Sequence, residues 1–165
     1  MRDSIRQTIR PYLSKGVIVD TNILLLLVVG SFQPRLIPNF KRTDKFTIED
    51  FALLIDFLNP FHRLATTPAI LAEVNSLSNQ LPEKIKPSYY QVFALQIDSL
   101  FEIYIPSADL TTERSYAKFG LTDAGIVQAA RSGFLVLTDD RPLSGLLEAE
   151  GLDVINFNHL RLYGN

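Results

Sequence analysis

Five carboxylates stand where an apolar run ends or is interrupted. Asp20 closes Val17-Ile18-Val19 and opens Thr21-Asn22-Ile23-Leu24-Leu25. Glu73 lies inside Pro68-Ala69-Ile70-Leu71-Ala72-Glu73-Val74, and Asp123 interrupts Leu121-Thr122-Asp123-Ala124-Gly125-Ile126-Val127. Asp139 and Asp140 follow Phe134-Leu135-Val136-Leu137-Thr138. A carboxylate in such a place is partly desolvated, which is costly unless it is paired or bound to a cation. Four such places in one small chain point to a metal as that cation, and so to a metal-dependent enzyme acting on phosphates.

The composition narrows the metal. The chain has no cysteine, which excludes a thiolate zinc site, a disulfide framework and a cysteine nucleophile. Its two histidines, His62 and His159, are far apart and lack the spacing of a helical zinc pair. A metal site here is therefore carboxylate and water, which suits Mg²⁺ or Mn²⁺. Two-metal phosphodiester chemistry needs several oxygen ligands around cations roughly 4 Å apart, and needs neither a histidine base nor a serine nucleophile.

These residues must be held by a fold. At 165 residues and 47% hydrophobic, the chain is expected to be a single domain over 1–165 with a sizeable core. Residues 3–13 read as a short helix with Ile5, Ile9 and Leu13 on one side and Arg2, Arg6 and Arg10 on another, an N-terminal extension over about 1–15. Val17–Asp20 reads as a buried strand, and Ile23–Val29, apolar all round, as a buried helix ended by Gly30. Ser31 to Lys45, with Pro34 and Pro38, reads as a long loop. Thr47 with Asp50 resembles a capping box opening a helix to about Leu58. Leu64–Thr66 reads as a strand, and Pro68 as the first turn of the helix carrying Glu73. Further helices are expected near 86–100, at Thr111–Lys118, from a Thr122 cap to about Arg131, and at Pro142–Glu150. Strands are expected at Phe101–Ile105, Phe134–Thr138 and Val154–Phe157.

Strands alternating with helices predict a three-layer α/β/α sandwich with a mostly parallel central sheet. In such sheets ligands gather beyond the carboxyl ends of the strands. Asp20 and the Asp139-Asp140 pair fall at those ends, and Glu73 and Asp123 lie on helices able to present them to the same crevice.

The order Val-Asp-Thr-Asn at 19–22, Glu73 in a helix, Thr-Asp-Ala-Gly-Ile at 122–126 and Leu-Thr-Asp-Asp-Arg at 137–141 resembles the PIN domain across most of residues 16–157. The resemblance implies a compact α/β fold that cleaves RNA through a Mg²⁺- or Mn²⁺-bound acidic cluster, a metal-dependent endoribonuclease. It implies metal-site carboxylates at Asp20, Glu73, Asp123 and Asp140, the last because this acid follows Thr138 by two residues, with Asp139 as a neighbour or further ligand. It also implies that Asn22 orients Asp20 and that Thr138 gives a hydroxyl hydrogen bond within the site. Its partners would be RNA, an antitoxin or other protein in toxin–antitoxin members, and a second copy in a dimer. About sixteen residues before the first strand, and the long segment 31–46, depart from compact toxin members.

Plainer roles exist for each residue. Asp20 is a natural helix N-cap, Asp123 a first-turn acid favoured by the helix dipole, and Asp139 or Asp140 the cap of the helix near Pro142. Arg141 lies beside the acids, where it can touch a phosphate or pair with Asp139. Lys41, Arg42 and Lys45 read as a charged loop, Arg2, Arg6 and Arg10 as a solvated face, and Tyr89, Tyr90 and Phe93 as packing rather than base-stacking residues. His62 and His159 read as structural. A net charge of −2 offers no global field for nucleic acid. A haloacid-dehalogenase-like phosphatase needs a second Asp where Asn22 stands. A non-catalytic PIN-like RNA- or protein-binding module is the remaining alternative. Val17–Val29, broken by Asp20 and Asn22, is too short to span a bilayer, and the first residues lack a signal-peptide core, so a cytoplasmic location is expected.

Overall fold

The computed structural model describes residues 2–164, with side chains described over 5–162. Helix α1 (Arg2–Ile9) and a 3-10 turn (Arg10–Tyr12) lead into β1 (Val17–Val19) and α2 (Thr21–Phe32). A second 3-10 segment (Pro34–Asn39), α3 (Ile48–Leu58), β2 (Leu64–Thr66), α4 (Pro68–Ser78), α5 (Lys86–Ser99) and β3 (Phe101–Glu102) follow. The chain continues through α6 (Ser107–Leu110), α7 (Tyr116–Arg131), β4 (Leu135–Thr138), α8 (Arg141–Ala149), β5 (Val154–Asn156) and α9 (Phe157–Gly164).

The strands form one parallel sheet in the order β3-β2-β1-β4-β5. Both central strands are apolar and wholly buried, Val17-Ile18-Val19 facing Leu135-Val136-Leu137 in register. That is the pattern of a parallel sheet covered on both faces. Helix α2 packs on α3, α4 and α5, whereas α7 and α8 pack on each other and on β4. Right-handed crossovers place these groups on opposite faces, because the chain reverses its direction across the sheet after β3. The architecture is a three-layer α/β/α sandwich. Among the described residues no helix is long and apolar enough to cross a membrane.

Caps explain several boundaries. Asp20 caps α2, Thr47 and Asp50 form a reciprocal capping box on α3, and Thr67 caps α4 with Pro68 in its first turn. The N-terminal segment, helical ahead of β1, packs on the domain: Ile5, Ile9 and Tyr12 lie against the core, and the Tyr12 hydroxyl donates to Asp153 at 2.7 Å. Arg6 and Arg10 are exposed, while the side chain of Arg2 lies outside the described residues.

Several expected boundaries move. Helix α2 does not end at Gly30 but passes through it to Phe32. A Cβ at Gly30 would lie 2.3 Å from the Phe51 ring, so this glycine lets α3 approach α2. The segment 31–46 is not wholly loop, since Pro34–Asn39 winds into a 3-10 helix. The helix expected at Thr111–Lys118 is instead a turn over 111–115, after the short α6, and then the start of α7 at Tyr116. Gly120, at φ 81° and ψ −175°, is non-helical, so α7 is two helical stretches meeting at a kink; Thr122 lies in the first turn of the second, as its expected start requires, but its hydroxyl donates to Glu73. The strand expected over 101–105 is only two residues long, and Phe157 begins α9 instead of closing β5.

Candidate functional site

The strand order reverses between β1 and β4, and this switch point opens a crevice at their carboxyl ends. The first residue beyond β1 is Asp20; Asp139 and Asp140 follow β4 directly. Helix α4 brings Glu73 to the same place, and α7, beyond its kink, brings Asp123. Asp20, Glu73, Asp123 and Asp140 line one crevice of about 190 Å³ with Thr21, Asn22, Leu77 and Leu143. Four separate stretches of chain thus meet there, as the spacing predicted.

Asp20 is the most constrained of the four, at 5% exposure. Its Oδ1 accepts the Ile23 amide at 2.8 Å, and its Oδ2 accepts the Thr138 hydroxyl and the Asp139 amide at 3.1 Å. These donors favour the ionised form, yet burial outweighs them and the Asp139 charge adds to it, raising Asp20 to about 7. Thr138, itself wholly buried, also accepts the Asp140 amide at 2.9 Å, so one hydroxyl ties both strand ends together. Asp140 in turn caps α8 through the Leu143 amide at 2.9 Å. Glu73 is clamped by two hydroxyls, Thr21 at 2.7 Å and Thr122.

Asp123 differs: it accepts no hydrogen bond from the described residues. Burial, then the charges of Asp140 and Glu73, raise it to about 6. Asp139 does not line the crevice, though its charge is felt by Asp20, and it has partners of its own. The Asn22 amide donates to its Oδ1 at 3.0 Å, the Lys45 ammonium pairs with its Oδ2, and Asn158 binds its carbonyl at 2.8 Å. Asn22 was expected to orient Asp20; its amide goes to Asp139 instead, because it sits one residue inside α2 and faces β4 across the switch point. Arg141, an expected partner of Asp139, lines a neighbouring crevice with Thr47, Asp50, His159 and Arg161. Lys45 takes its place, held by Arg161, which donates to the Lys45 carbonyl at 2.9 Å and pairs with Asp50 at 2.8 Å. Nothing about the spacing of Lys45 and Asp139, 94 residues apart, marked them as a pair.

The aromatic residues 89, 90 and 93 are packing residues: Tyr89 and Phe93 are buried, and the Tyr89 hydroxyl lies 2.7 Å from that of Ser78. His62 and His159 are exposed and neither lines the acidic crevice.

The donor set is all oxygen, which matches a hard divalent cation. Among the described residues no three His, Cys, Asp or Glu side chains are grouped closely enough to hold a metal ion by themselves. Mg²⁺ does not require that, since it retains several waters and binds through one or two carboxylates. Asp123, with no hydrogen bond and two acidic neighbours, is the side chain best placed to be one of them.

Fold and site therefore define an α/β protein with an acidic crevice at its switch point. Comparison of the chain with protein-family models, with curated proteins and with solved structures gives no match.

Proposed function

We propose that this protein is a metal-dependent endoribonuclease of PIN-like type, hydrolysing RNA phosphodiester bonds at the crevice of Asp20, Glu73, Asp123 and Asp140. One observation carries the reading. Four carboxylates share one crevice at the sheet's switch point, and two of them are held far above the ordinary range by burial and by neighbouring acids. Such a cluster costs stability in the absence of a cation, and its retention is accounted for by a function that uses the cation.

Bound among these carboxylates, Mg²⁺ or Mn²⁺ supplies water activation and neutralisation of charge on the leaving oxygen. The chain's own residues do the positioning. Asp20 and Asp140 are fixed by backbone amides and by Thr138, Glu73 by Thr21 and Thr122, while Asp123 is left able to turn toward a cation. Asp139, engaged by Lys45 and Asn22, ties the segment before α3 to the end of β4. This chemistry serves equally a toxin neutralised by an antitoxin and an RNA-processing enzyme, as a monomer or a dimer.

A second reading, a non-catalytic RNA- or protein-binding module, draws on the lack of three acids grouped as a ready metal cage among the described residues. Incubating wild type and Asp20→Asn with labelled single-stranded RNA in Mg²⁺, Mn²⁺ or chelator separates the two. Metal-dependent cutting by wild type, lost in the variant, is the expected result. Binding without cutting under all conditions would establish the second reading.

A further inference from the structure

A second cavity, of about 500 Å³, lies between the first turns of α7 and the outer side of α8. It is lined by Arg114, Ser115, Lys118 and Phe119 on one wall and by Pro142, Gly145 and Leu146 on the other, with Glu150 at its edge. Two features suit it to an anion with an aromatic part. First, its charges do not cancel. Glu150 and nearby Glu113 are both taken by Arg131, at 2.7 and 2.6 Å, whereas Arg114 and Lys118 have no acidic partner among the described residues. Second, Phe119 lines the same wall with the Lys118 ammonium 5.0 Å from its ring centroid, and Gly145 opposite leaves open space above the helix.

The cavity adjoins the acidic crevice through two elements. In α8, Asp140 and Leu143 face the crevice, and Pro142, Gly145 and Leu146 face the cavity. In α7, Phe119 and Asp123 stand on either side of the Gly120 kink. Asp140 caps α8 and Gly145 lies in its second turn, so the two sites meet on the two sides of one helix.

We propose that this cavity binds a nucleotide flanking the scissile phosphate of a single-stranded RNA, a reading that rests on the nuclease assignment above. Arg114 and Lys118 hold its phosphates and Phe119 stacks on its base.

The test is the affinity of a fluorescently labelled, unstructured 12-nucleotide RNA, measured in chelator so that nothing is cut, as a function of salt. The double variant Arg114→Ala/Lys118→Ala is expected to bind about tenfold more weakly at moderate salt. Its log–log salt dependence should be shallower by about 1.4, two contacts at about 0.7 each for a single strand. Phe119→Leu should lose about tenfold with the slope unchanged, and Phe119→Tyr should restore it. In cutting assays with Mn²⁺ the double variant should raise KM and leave kcat near wild type. Wild-type cutting combined with an unchanged affinity and slope in the double variant would overturn the subsite and leave the nuclease intact. A polyglutamate peptide that binds as tightly as the RNA, with the same losses in both variants, would also overturn it, marking the cavity as a site for an acidic protein. Failure of wild type to bind or cut RNA would remove the nuclease reading and this one with it.

Discussion

Replacing Asp123 by asparagine should stabilise the metal-free protein, and only above about pH 5. Asp123 receives no hydrogen bond from the described residues, and its charge is opposed by burial and by Asp140 and Glu73, which raise it from 3.8 to about 6. At 1.36 kcal/mol for each tenfold change in proton affinity, the ceiling on that cost is about 3 kcal/mol. The side chain is partly exposed, and solvent screening roughly halves this to about 1.5 kcal/mol. The sign follows from linkage. A folded-state value above the unfolded one means that the folded protein binds the proton more tightly between about pH 4 and pH 6. Stability is therefore undiminished below about pH 4, falls as pH rises through that window, and stays lowered above it. Asparagine has no such titration and a similar helix propensity. At pH 8 in chelator, Asp123→Asn should melt roughly 3–6 °C above wild type, at about 2–4 °C per kcal/mol for a chain of this size. At pH 4 the two should melt together. Equal or lower stability of the variant at pH 8, or a gain of the same size at both pH values, would refute the reasoning.

Other outcomes follow from the same geometry. Thr138→Val removes a wholly buried hydroxyl that donates to Asp20 and accepts from the Asp140 amide, and should cost about 2 kcal/mol in urea denaturation. The loss should be larger at pH 8 than at pH 5, because Asp20, raised to about 7, is ionised only at the higher pH; the reverse order would contradict the hydrogen-bond account. Gly30→Ala should destabilise by about 2 kcal/mol or more, since its Cβ would fall 2.3 Å from the Phe51 ring. A gain of the size that helix propensity alone gives would show that α3 can move away.

Much of this molecule could be read from local chemistry. Val17-Ile18-Val19 followed by Asp20 announces a buried strand and a capped helix, and Thr47 with Asp50 announces the start of α3. The meeting of Glu73, Asp123 and Asp140 with Asp20 followed from placing two acids at strand ends of a parallel sheet and two on helices that flank them. The missed features depend on contacts between distant segments. Gly30 reads as a helix end because α2 is apolar on every side, so no periodicity marks its limits; only the Phe51 ring explains it. Asn22 turns to Asp139 across the switch point, and Lys45 displaces Arg141 as the ion partner because Arg161 holds the Lys45 backbone beside Asp139. The helix start near Thr122 was legible, but that its hydroxyl turns to Glu73 depends on α4 lying alongside.

The central claim is that the carboxylates of this crevice hold a divalent cation, and diffraction from crystals grown with Mn²⁺ tests it most directly. The account predicts an anomalous peak in the crevice, with Asp123 and at least one of Asp20, Glu73 and Asp140 among its ligands, absent from crystals of Asp123→Asn. An empty crevice at millimolar Mn²⁺, with Glu73 still clamped by Thr21 and Thr122 and Asp123 still without a partner, would contradict it.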